Sequence, residues 1–71
     1  MNVYTMNVEL TNGIVYQHPY HLGTILDVAM TVVMEKLRQP TTTLVALRRN
    51  NQVVGIYDYR DLEERENIPQ N

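Results

Sequence analysis

His18 and His21 lie three residues apart in the segment HPYHLG and could offer two imidazoles to a metal ion. A catalytic zinc takes three protein ligands as a rule. The acids nearest in sequence, Glu9 and Asp27, stand at no ligand spacing from the pair. Loop packing or a surface position is the simpler role, although imidazoles there could switch an interface at about pH 6. Asp58 and Asp61 could work as a general acid and base. They open a charged helical segment, however, where carboxylates serve as solvated caps. The chain has no serine and no cysteine, so the two commonest nucleophiles are missing, and none of its seven threonines is the first residue. Its three glycines are scattered and make no phosphate-cradling loop. Five tyrosines could stack on single-stranded nucleic acid, but no basic groove accompanies them and the net charge is −2. The expectation is a protein that is not an enzyme and holds no metal or cofactor.

The elements that must position these residues are organised around one stretch, TILDVAMTVVMEKLRQ, from Thr24 to Gln39. It is predicted to be the only long helix. Thr24 is the expected N-cap, with Asp27 three residues on to answer it. Lys36 and Arg38 suit the negative end, and Pro40 stops the helix because it disfavours helical geometry at Gln39. Ala29, Val33, Leu26, Leu37, Met30 and Met34 form one apolar stripe, and Ile25, Val28 and Val32 extend it. Together they cover about 240° of the helical wheel, where a helix lying on one sheet needs little more than about 100°. The excess must be covered by the C-terminal segment, by a second protomer or by a partner chain.

Around the helix the pattern is of short strands. Tyr4, Met6, Val8 and Leu10 alternate with polar residues, which makes a strand with one buried face. Asn12-Gly13 predicts a two-residue type I′ turn, and Ile14 to Gln17 returns antiparallel with Leu10 facing Val15 and Glu9 facing Tyr16. After a loop over residues 18–23 and the helix, Thr42 to Leu47 forms a strand. Asn50-Asn51 turns it, and Gln52 to Tyr59 returns. In that register Val45 and Leu47 share a face with Val54 and Ile56, Gly55 lies opposite Ala46, and both faces are apolar. The hairpin should therefore sit centrally or be covered on both sides. Asp61 is expected to cap a short final helix, DLEEREN, with Glu64 at the capping-box position. The residues it could bury are Leu62 and, further on, Ile68.

The fold class is α+β: a single small ββαββ(α) domain over residues 1–71, an antiparallel sheet packed on one main helix, with 66–71 as a loose tail. Seventy-one residues sit near the lower size limit for an independent core, and no disulfide can staple it. No apolar run reaches a membrane span, so no membrane partner is expected, and the absence of cysteine fits a cytoplasmic location. Lys36, Arg38, Arg48 and Arg49 make a basic middle, and Asp58, Asp61, Glu63, Glu64 and Glu66 an acidic end. Because the last strand returns to the end of the helix, Asp58 or Asp61 is expected near Lys36 or Arg38.

Two stretches resemble known families. From Thr24 to Leu62 the chain resembles a CBS motif. Thr24, Leu26 and Ala29 match the opening of that family's helix, and Val54-Gly55-Ile56 with Asp61-Leu62 match the close of its hairpin. The resemblance implies pairing of two motifs and binding of an adenine nucleotide such as AMP or ATP. Gly55 and Asp61 would lie at the nucleotide, with Asp61 holding the ribose. Asp58 falls where the family has a Thr or Ser beside phosphate, a departure that places like charges together. Separately, the strand ending at Leu10 followed by IVYQHPYHLGTIL is similar to the opening of RAMP-type CRISPR proteins, with Gly23 in place of an Asp.

The function expected from the residues themselves is protein binding: a small adaptor or inhibitor that occupies a partner's surface or forms a homodimer. Chains of this size include regulatory accessory proteins of phages and mobile elements. The residues expected at the contact are Ile25, Val28 and Val32 on the helix, and Arg48 and Arg49 at the second hairpin tip. A CBS-like nucleotide-binding regulator is the alternative. A nucleic-acid-binding accessory protein ranks behind both.

Overall fold

The computed structural model describes residues 2–66, of which the side chains of 65 and 66 are not described. Six elements follow in the order β1 (Tyr4–Leu10), β2 (Val15–Gln17), α1 (Leu26–Leu37), β3 (Thr42–Arg49), β4 (Gln52–Asp58) and α2 (Tyr59–Glu66). The strands form one antiparallel sheet in the order β2-β1-β3-β4. The expected α+β class and element order are therefore present. Of the expected tail 66–71, Glu66 belongs to α2, and the rest, with Ile68, lies outside the described residues.

The core lies between one face of the sheet and α1. Tyr4, Met6 and Val8 of β1 meet Val45 and Leu47 of β3, and α1 contributes Ala29, Met30, Val33, Met34 and Leu37. Met6, Val8, Val33, Val45 and Leu47 are sealed from solvent. Each such side chain contributes about 1.5–3 kcal/mol by leaving water. Leu22 joins this core from a stretch expected to be loop. The reason is visible in the backbone: the Leu22 N–H donates to the Tyr4 carbonyl at 2.7 Å, and the Tyr4 N–H to the Gly23 carbonyl at 2.9 Å. Residues beyond β2 thus run back along β1 and carry Leu22 over its end.

The first hairpin differs from the expected register by one residue, and the second does so beyond its first two pairs. In the first, the Gly13 N–H donates to the Leu10 carbonyl and the Leu10 N–H to the Ile14 carbonyl. Gly13 has φ +88°, and Asn12 does not have positive φ. This is a three-residue loop with Gly in the left-handed position, in place of a two-residue type I′ turn. Asn12 supports it by accepting the Ile14 N–H on its side-chain oxygen at 3.0 Å. Glu9 now faces Val15, and Val8 faces Tyr16. A one-residue slip exchanges the faces: Tyr16 packs on the core and Val15 points away from it. The larger side chain is the one half-buried, and Lys36 lies over its ring at 5.9 Å from the centre.

In the second hairpin Asn50 (φ 51°) and Asn51 (φ 68°) make the expected left-handed turn. A bulge then follows at Val54: Arg48 pairs with Val53, but Leu47 pairs with Gly55, Ala46 with Ile56 and Val45 with Tyr57. Gly55 is therefore opposite Leu47 and not Ala46. The bulge turns Tyr57 toward the core and Ile56 outward. Its physical cause is the Tyr57 ring, which folds over Gly55; a Cβ on Gly55 would meet ring atoms at 2.5–2.7 Å. The hairpin is also less central than expected, since β3 is internal and β4 is an edge strand.

Helix α1 is shorter than expected at both ends. Its N-cap is Ile25, with extended backbone and no side-chain cap bond, and its C-cap is Arg38. Thr24 stands outside it. Helix α2 follows β4 directly and starts two residues before Asp61. Its Leu62 packs against the core.

Candidate interaction surface

The chemistry-bearing residues are placed first. The His21 Nδ1 accepts the Gly23 N–H at 3.2 Å, which uses one of its two ring nitrogens. His18 stands edge-on to Tyr20, with ring centres 6.0 Å apart. Among the described residues no group of three or more His, Asp or Glu side chains converges.

Asp58 and Asp61 form a reciprocal cap at the start of α2. The Arg60 N–H donates to an Asp58 carboxylate oxygen at 2.9 Å, and the Asp58 N–H donates to the Asp61 carboxylate at 2.8 Å. This is a capping box with Asp58 as N-cap and Asp61 three residues in, a correction to the expected cap at Asp61. The Arg60 guanidinium also reaches Asp58 at 2.8 Å. Its side-chain hydrogen bond, first, and its backbone N–H, second, hold the Asp58 carboxyl below the usual carboxylate range. Asp58 thus takes Arg60 as its charge partner, and Lys36 lies over Tyr16 on another part of the molecule. A nucleotide held as the CBS resemblance implies would have to compete with this cap for both carboxylates. Gly55, the third residue of that set, lies beneath the Tyr57 ring.

Arg48 is half-buried, and its Nη2 donates to the Asn51 carbonyl at 2.7 Å, whereas Arg49 is exposed. Between α1 and β4 lies an open cleft of about 560 Å³, walled by Leu26, Met30 and Met34 on the helix and Tyr57 on the strand, with Asp27 and Arg38 at its rim.

Ile14, Tyr20, Val54 and Tyr59 are exposed at separate points, and other apolar side chains left in solvent gather in two places. At the start of α1, Ile25 is 61% exposed, Leu26 48% and Val28 52%. Val32, expected beside them, is half-buried against the core. The second place is the face of the sheet turned away from α1. Alternation from the buried residues puts Val15, Leu44, Ala46, Val53 and Ile56 there, with Ile56 62% exposed. The expected register set Val54 and Ile56 on the face of Val45 and Leu47; the bulge, which alternation does not reveal, moves Ile56 to the opposite face. No helix of the described residues is long and apolar enough to cross a membrane. Comparison with protein-family models, curated proteins and solved structures finds no significant match for this chain.

Proposed function

We propose that this chain is a non-catalytic protein-interaction module, an adaptor or inhibitor that seats the start of α1 against a partner protein. The observation that carries this is Ile25. It occupies an N-cap, where Ser, Asp or Asn would stabilise the helix by about 1 kcal/mol more, makes no cap bond, and is mostly in solvent. A residue that breaks a local rule and gains nothing from burial is the mark of a contact made outside the protomer. Leu26 and Val28 beside it enlarge the same patch. Asp58 and Asp61, by contrast, are engaged in capping, His21 in a loop hydrogen bond and His18 against Tyr20.

Ile25→Asp supplies the missing cap. It should raise folding stability by about 1 kcal/mol in chemical denaturation, because the new carboxylate accepts a first-turn N–H and suits the positive helix end. The same substitution, combined with Val28→Asp, should abolish recovery of the partner in pull-downs from the native host read by mass spectrometry. A folded double variant that retains the same partner as the parent protein would refute the assignment.

A further inference from the structure

We propose that the bare face of the sheet is the seat of a second copy of this chain, docked face to face about a two-fold axis that crosses the strands at Ala46. The inference rests on reading the chain as a protein-binding module, and it assigns the partner for a different surface from the start of α1.

The argument is the order of side chains on that face. The pairing registers give three cross-strand rows. The middle row is Gln17, Asn7, Ala46 and Ile56, all uncharged. On one side of it lie Val15, Glu9, Leu44 and Asp58, and on the other Thr5, Arg48 and Val53. One flank is therefore acidic and the other basic. A two-fold axis along the middle row keeps each strand over its own copy and reverses its direction. Arg48 then lands over Leu44 of the second copy, between the Glu9 and Asp58 that flank that leucine. Glu9 is the main acceptor, because Asp58 already holds Arg60.

The apolar residues agree with this arrangement. Ile56 meets its own copy at one edge, and the small Ala46 at the centre lets the sheets approach. Asn7, next to Ala46, meets its own counterpart in the second copy. A sheet face built for water alternates to polar residues, whereas this one carries Val15, Leu44, Ala46, Val53 and Ile56. The 25 residues of the four strands, at about 4.8 Å between strands and about 3.4 Å along them, give a footprint of about 400 Å² per copy. The total, about 800 Å², lies below the standard range for stable complexes, so the dimer should be weak and reversible.

Sedimentation velocity over a concentration series, at low and moderate salt, tests this on the full chain. The parent protein should show a monomer–dimer equilibrium. Glu9→Arg should weaken it by about tenfold or more, by setting like charges together. Adding Arg48→Glu should restore most of the loss. Because Arg48 also braces its turn, a second readout is independent of that residue. The chain has no cysteine, so Ala46→Cys introduces the only thiol. Facing sheets lie about 10 Å apart, which a short bis-maleimide spans; it should give a covalent dimer from Ala46→Cys and none from Val28→Cys. A monomer at every concentration overturns the sheet-face dimer and leaves the α1 assignment to its own pull-down. A dimer indifferent to Glu9→Arg, or cross-linked through residue 28 instead, also overturns it.

Discussion

Asn50 ties the turn between β3 and β4 to the residues that lead into β1. Its backbone N–H donates to the Val3 carbonyl, its side-chain oxygen accepts the Val3 N–H at 2.9 Å, and its amide reaches the Asn2 side chain at 3.2 Å. It does this in a left-handed conformation, φ 51°, that few residue types accept. Asn50→Gly keeps the turn and loses the side-chain bonds, and should cost about 1 kcal/mol. Asn50→Ala loses the bonds and strains the backbone, and should cost about 2 kcal/mol or more. Equal losses in urea denaturation would mean that the left-handed strain is immaterial, and an undiminished stability of Asn50→Gly would mean that the clamp to Val3 is. At Asp58 the sign of the pH effect is fixed by the direction of the shift. Its folded carboxyl titrates below the unfolded one, so its contribution is present above the ordinary carboxylate pKa and disappears as pH falls through the folded value. Asp58→Asn should have a lower Tm than the parent at neutral pH, and the gap should close in acid below the usual carboxylate range. The left-handed turn at Asn50 was legible in the sequence because it is a property of two adjacent residues. The cap was not: Asp58 and Asp61 sit three apart, as do Asp61 and Glu64, and only the end of β4 decides between the two boxes.

At the scale of elements, β4 shows why alternation alone misplaced side chains. The run QVVGIYD is apolar in both phases, so either register buries something. Packing chooses the phase that lays Tyr57 over Gly55 and fills the place a β-carbon would occupy. Gly55→Ala should destabilise by about 1–3 kcal/mol through this overlap. In a Tyr57→Ala background the same change should cost much less, a coupling that a double-mutant cycle measures directly. Additive losses would show that the ring and the glycine are independent. The helix was legible in its buried stripe, because Ala29, Met30, Val33, Met34 and Leu37 are the residues its period places together. Its first residue was not, since Thr24 has the right side chain and Ile25 takes the position. The β1 core face was equally legible, while the three-residue loop after it was not, because Asn-Gly serves both loop lengths.

The described residues span 37 × 32 × 16 Å, a thin slab of one sheet and one main helix. The surface follows from that thickness, since among the described residues α1, with Leu62 of α2, covers one face of the sheet and leaves the other. If two slabs meet through the bare faces, folding is linked to association, and the midpoint of thermal unfolding must rise with protein concentration. Differential scanning calorimetry over a hundredfold range of concentration checks this. A constant Tm would show that no such linkage exists.

The one-sidedness of α1 has a geometric outcome. Stacking two slabs back to back sends the two Ile25–Val28 patches to opposite poles, too far apart and too divergent to grip one small molecule together. Such a dimer acts as a bridge: it can tether two separate targets, or bind repeating sites on an assembly with avidity that a single protomer lacks.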